Sequence, residues 1–92
     1  TQLYLEPDKK ILAYERGDLV FVYSFHPTES YFGQKVRFPE PGSYQIILDS
    51  DQQEYGGFER LDQQVIYQTD KNQEVSLYLP NRTMMAMKKN KR

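Results

Sequence analysis

This sequence predicts an all-β fold, an antiparallel β-sandwich of about six to eight short strands, on three observations. Apolar residues recur with period two, and helical spacing is nearly absent. Gly, Pro, Asn and Asp interrupt the chain at short, regular intervals. Eight Tyr and five Phe among 92 residues, with no Trp, supply rings that favour a half-buried pleated surface.

The first predicted strand is Lys10 to Glu15, carrying Ile11, Leu12, Ala13 and Tyr14. Arg16-Gly17-Asp18 turns the chain, and Gly17 supplies a positive φ without steric cost. Leu19 to Phe25 is the clearest strand: Leu19, Phe21, Tyr23 and Phe25 share one face, and Val20, Val22, Ser24 and His26 the other. Both faces are apolar at its start, which predicts a central strand covered on both sides. His26-Pro27-Thr28 ends it, because Pro27 cannot donate to a ladder. Glu29 to Gln34 reads as a loop holding Tyr31 and Phe32, and Lys35 to Phe38 as a short edge strand. Pro39-Glu40-Pro41-Gly42 is a turn, and Ser43 to Asp49 is a strand with Tyr44, Ile46 and Leu48 inward. Ser50 to Gln64 has no sustained period and is rich in Asp, Gln and Glu, with Tyr55, Phe58 and Leu61 as anchors. A loop of that length in a compact domain is functional or held against a neighbour. Val65 to Thr69 is a short strand, Val75 to Leu79 a strand with Val75, Leu77 and Leu79 inward, and Thr83 to Met87 the last strand, its methionines filling gaps.

One domain is expected by length, with a thin core, since a chain of this size buries only about 60–65% of its unfolded surface. An apolar fraction of 38% still permits packing, and the aromatic load argues against disorder. The net charge of −1 favours neither nucleic acid nor a membrane surface, and no apolar run approaches the roughly 18 residues that span a bilayer. Charge is uneven, however. Lys88, Lys89, Lys91 and Arg92 give the tail +4, leaving 8 of the 12 basic residues against 13 acidic ones elsewhere. That tail reads as a contact for phosphate or an acidic partner, or as a solvated, frayed terminus. The absence of cysteine excludes disulfides, thiolate metal sites and a Cys nucleophile, and fits a reducing compartment. No secretory or transit pattern opens the chain, and Thr1 to Leu5 read as the middle of something longer.

Residues able to do chemistry are few. His26 is the single histidine and reads as a hydrogen-bonded strand-end residue rather than a zinc ligand or general base. Asp49-Ser50-Asp51 resembles the opening of a calcium loop, but Gln53 and Glu54 then break its spacing. Asp49, Asp51, Glu54, Glu59 and Asp62 are numerous enough for glycoside chemistry, yet nothing in the sequence supplies the cleft that would raise one pKa. Gly56-Gly57 lacks the lysine and the strand-to-helix setting of a phosphate loop. The aromatics remain. A sugar's apolar ring face packs on a flat aromatic, so Tyr31, Phe32, Tyr55 and Phe58 read as a glucan platform, as caps on the thin core, or as a dock for another domain. No catalytic residue, cofactor or metal is expected in this chain.

Several segments read in order carry a resemblance. Tyr14-Glu15-Arg16-Gly17-Asp18-Leu19-Val20-Phe21-Val22 is followed by Ser24-Phe25-His26-Pro27-Thr28-Glu29-Ser30-Tyr31. Then come Pro39-Glu40-Pro41-Gly42-Ser43-Tyr44, Leu48-Asp49-Ser50-Asp51, Tyr55-Gly56-Gly57-Phe58, Arg60-Leu61-Asp62 and Tyr78-Leu79-Pro80-Asn81-Arg82-Thr83. The series resembles the C-terminal all-β domain of eukaryotic-type 1,4-α-glucan branching enzymes, of the α-amylase superfamily, from about Lys9 to Met87. The resemblance implies a parent that cuts an α-1,4 chain and reattaches it through an α-1,6 bond, with its catalytic Asp and Glu on an upstream (β/α)8 barrel. It implies residues 1–8 as a linker from that barrel, 9–87 as the β-sandwich and 88–92 as a basic tail. The implied role is to brace the barrel and influence glucan chain choice, in the cytoplasm or, for a plant enzyme, the plastid. The implied partners are the barrel and α-glucan, with the isolated domain a monomer that binds neither nucleic acid nor membrane. Tyr31, Phe32, Tyr55, Phe58 and Arg60 are its candidate contacts to barrel or glucan. An independent carbohydrate-binding module is the alternative. The sequence departs from the family pattern at Glu59 and Asp62-Gln63, and in a short Thr69 to Val75 stretch.

Overall fold

The computed structural model describes residues 2–51, 60–61 and 63–90. Among them run eight strands and no helix: β1 (Gln2–Glu6), β2 (Ile11–Arg16), β3 (Leu19–Ser24), β4 (Tyr31–Arg37), β5 (Ser43–Asp49), β6 (Tyr67–Gln68), β7 (Glu74–Leu79) and β8 (Thr83–Lys89). They form a six-stranded sheet in the order β1-β2-β3-β8-β5-β6 and a two-stranded sheet of β4 and β7, every pair antiparallel. The β2–β3 hairpin closes through Gly17-Asp18, with Arg16 opposite Leu19 and Gly17 at φ 63°. Positive φ at the first loop residue alone is the II′ geometry, whose twist matches that of the flanking strands.

The core lies between the sheets. Val20 and Val22 of β3 face the same side as Ile11 and Ala13 of β2, Met85 and Met87 of β8, and Tyr44 and Ile46 of β5; Val36, Phe38, Val75, Leu77 and Leu79 close on them from the small sheet. Phe38 meets Tyr44 edge-on at 4.6 Å, and the Tyr44 hydroxyl donates to the Glu40 carbonyl at 2.9 Å, tying the turn before β5 to the core. Burial pushes the Tyr44 phenol above its ordinary pKa, so it stays a donor.

Four expectations change. β1 occupies residues that read as a linker, held to β2 from Gln2–Tyr14 to Glu6–Ile11. β4 begins at Tyr31 rather than Lys35, because a bulge between Tyr31 and Gln34 hides the period-two signal. In β5 a register shift between Ile46 and Leu48 turns Leu48 outward and buries Asp49 instead. β8 continues through Lys88 and Lys89, which pair with Asp18 and Glu40 at 3.6 and 3.1 Å, so this part of the tail is strand and not frayed.

Candidate functional site

Two surfaces and one polar cluster contain the residues that the fold leaves available. The first surface is the outer face of the six-stranded sheet. β3 is central, as its apolar run predicts, but among the described residues only its inner side is covered. Tyr14, Phe21, Tyr23 and Phe25 form a slipped stack across β2 and β3, with ring centroids 5.5, 5.8 and 5.2 Å apart and planes within 20°. The Tyr23 hydroxyl, 3.2 Å from that of Tyr14, is held protonated by this bond and by burial. Leu5, Leu48 and Phe25, the last 56% exposed, extend the apolar surface. At one end Tyr23, Phe25, Arg82 and Met84 line a cleft of about 310 Å³.

The second surface is smaller and lies on the two-stranded sheet. The β4 bulge sets Phe32 and Gly33 against the turn of the strand, with Gly33 at φ 65°. Phe32 is thereby laid over Tyr78 at 4.4 Å and 16°, yet stays 80% exposed. One face of its ring rests on Tyr78, and the other faces solvent. An exposed Phe forgoes about 2 kcal/mol of burial.

Arg60 belongs to the polar cluster. Its Nε and Nη2 donate to Asp51 Oδ2 and Oδ1 at 3.0 and 2.9 Å, and Nη1 donates to Asn81 Oδ1 at 2.7 Å. The Asp51 carboxylate, 3% exposed, also accepts the Arg60 backbone amide at 2.7 Å and holds the guanidinium pKa above its ordinary value. Asn81 reaches on to Ser30 and to the Pro27 carbonyl. The cluster thus pins four places in the chain together: Pro27 to Ser30, Asp51, Arg60 and Asn81. Asp49 accepts the Asp51 amide and the Gln63 side chain, so the Asp-Ser-Asp run binds protein donors. Among the described residues no group of three or more His, Cys, Asp or Glu side chains is placed to hold a metal ion.

The other predicted contacts divide. Tyr31 is half-buried against the core, with His26 edge-on at 6.3 Å and Lys9 Nζ 5.3 Å from its ring centre, so it lies apart from Phe32. Tyr55 and Phe58 lie outside the described residues. His26 Nδ1 accepts the Thr28 and Glu29 amides at 3.2 and 3.0 Å, the strand-end role its position predicts. Sequence reading missed Tyr78 and the outward ring stack; the latter was legible as the apolar outer face of Leu19 to Phe25. A groove of about 580 Å³ beside Tyr44 has its charges already paired, Asp18 with Lys88 and Glu40 with Lys89.

Two packed antiparallel sheets, one with a largely apolar outer face, define an all-β domain. The chain belongs to the family described as "Alpha amylase, C-terminal all-beta domain", which matches residues 4–90. It is similar to the 1,4-alpha-glucan-branching enzyme of Eremothecium gossypii, with 36% identity over 88 residues, covering 88% of this chain and 12% of that protein. The 1,4-alpha-glucan-branching enzyme of Felis catus is 40% identical over 84 residues, 85% of this chain and 12% of that protein. The Arabidopsis thaliana protein named "1,4-alpha-glucan-branching enzyme 2-2, chloroplastic/amyloplastic" is 50% identical over 60 residues, 65% of this chain and 8% of that protein. The chain therefore spans about an eighth or less of the length of these relatives.

Proposed function

We propose that this chain is a non-catalytic accessory domain of a 1,4-α-glucan branching enzyme and that it braces the catalytic (β/α)8 barrel of the same polypeptide. The uncovered outer face of the six-stranded sheet carries this reading. An antiparallel sheet that faces water alternates apolar and polar residues, and β3 does not. Its rings stand in a slipped stack, each covering part of its neighbour, so the face offers ring edges and methyls. Edges suit packing against another protein layer better than stacking under a sugar. Arg82 beside Tyr23 and Phe25 adds the residue types enriched at the centres of interfaces. The reading places the domain in the cytoplasm, or in the plastid for a plant enzyme.

The test compares two contexts. Phe25→Glu sits on an exposed side chain in the 92-residue chain, so its melting temperature should hardly change. In the full-length enzyme the same change puts a charge into a buried interdomain contact and should lower the melting temperature by several degrees. Equal effects in both contexts would overturn docking through this face. A second reading, an independent carbohydrate-binding module for α-glucan, is favoured by the open ring of Phe32.

A further inference from the structure

We infer that the bulged Phe32–Tyr78 pair is a contact site for an α-1,4-glucan chain, with one glucose ring seated on the free face of Phe32. The inference rests on the accessory-domain reading and gives that domain a hold on the chain handled by the barrel. Three observations carry it. First, the bulge is a dedicated device: two residues, Phe32 and Gly33, occupy the space of one, and Gly33 takes a φ of 65° that side-chain-bearing residues rarely adopt. A bulge re-aims a side chain, and the side chain re-aimed here is Phe32. Second, Tyr78 backs the ring in parallel at 4.4 Å, so Phe32 is fixed rather than swinging. Its open face is presented flat at 80% exposure.

Third, the neighbours define the ligand. On the same outer face of β4 and β7 stand Ser76, Lys35, Arg37 and Glu74, an uncharged hydroxyl followed by charges of both signs. Ser76 Oγ lies beside Gly33, 3.6 Å from where a β-carbon would stand. A single apolar ring with a polar border is too small for a protein interface, and with Lys35 paired to Asp70 and Arg37 opposite Glu74 it carries no basic excess for phosphates. It matches a pyranose, which has a C–H face about one aromatic ring across and hydroxyls around its rim. In the stack on the other sheet Tyr14 and Tyr23 each lie against two rings, and Phe25 at its end is less exposed than Phe32, 56% against 80%, so the sugar contact is assigned to Phe32 and the protein contact to the opposite side of the domain.

The experiment uses the 92-residue chain. Its electrophoretic mobility is measured in gels with and without amylopectin, and its amide NMR shifts are followed during titration with maltoheptaose. Amylopectin should retard the chain, and maltoheptaose should move the Phe32, Gly33 and Tyr78 amides. Phe32→Ala should weaken binding by about tenfold, and Phe32→Trp, with a larger face, should restore or exceed it. Phe25→Ala on the other sheet should leave binding unchanged. Absence of retardation, or retardation unchanged in Phe32→Ala, would overturn the site. So would a full-length enzyme whose melting temperature falls on Phe32→Asp while the isolated chain ignores glucan, since Phe32 would then be a protein contact. Docking through the six-stranded sheet is judged separately by Phe25→Glu, so either idea can fail alone.

Discussion

At the turn between β6 and β7, Asp70 Oδ1 accepts the amides of Asn72 and Glu74 at 2.8 and 3.0 Å, and Oδ2 accepts Lys35 Nζ at 3.0 Å. The Glu74 amide first, then Lys35, lower its pKa from 3.8 to about 2. A carboxylate with a depressed folded-state pKa contributes stability that is present above its unfolded pKa and lost as pH falls through the folded one. Asp70→Asn should therefore lower stability at neutral pH, and its difference from the natural chain should shrink between pH 4 and pH 2. Chemical denaturation at several pH values checks this. Asp51 contributes differently, because it is buried and compensates a guanidinium. Asp51→Ala would leave Arg60 without its counter-charge and should cost about 2–3 kcal/mol, below the full cost of a buried pair because Arg60 is partly exposed. A loss under 1 kcal/mol in urea unfolding would show that the cluster does not pin these segments.

Among the elements, the β4 bulge separates local conformation from packing. A β-carbon at Gly33 would meet nothing closer than Ser76 Oγ at 3.6 Å, an ordinary contact, so the cost of Gly33→Ala lies in the backbone. The substitution should destabilise by about 1 kcal/mol, the penalty for a left-handed residue with a β-carbon. It should also shift the Phe32 ring, visible as a change in the Tyr78 ring-current shifts. An unchanged Tyr78 spectrum would mean that the bulge does not position the pair. The β5 shift has the same character. One irregular step exposes Leu48 and buries Asp49, whose carboxylate the Asp51 amide and Gln63 then satisfy. Period two fails where a strand gains a residue, so β4 was read correctly only after its bulge and β5 only before its own.

For the whole molecule, the two sheets differ in what they expose. The small sheet shows charges, one hydroxyl and a single aromatic pair; the large sheet shows a ring stack with Leu5 and Leu48 and has Arg16 and Lys88 toward one end. A free-standing domain with that second surface would risk self-association, a hazard that the proposed docking in a larger enzyme would remove. In the proposed reading the effect of Phe25→Glu depends on the protein layer packed against this sheet. The expected cover on both faces of β3 is met from one side by the small sheet, and from the other, in the proposed reading, by the barrel.

The all-β class, the β2–β3 hairpin, the inward face of β7 and the role of His26 are local matters. Alternation, turn residues and a side chain's reach to the next few amides settle them within a short stretch of sequence. The assignment of β4 and β7 to their own sheet, the strand at Gln2–Glu6, the Arg60–Asp51–Asn81 cluster and the pairing of Phe32 with Tyr78 needed the tertiary structure. Each joins residues distant along the chain, and that proximity is set by how two sheets close over a shared core.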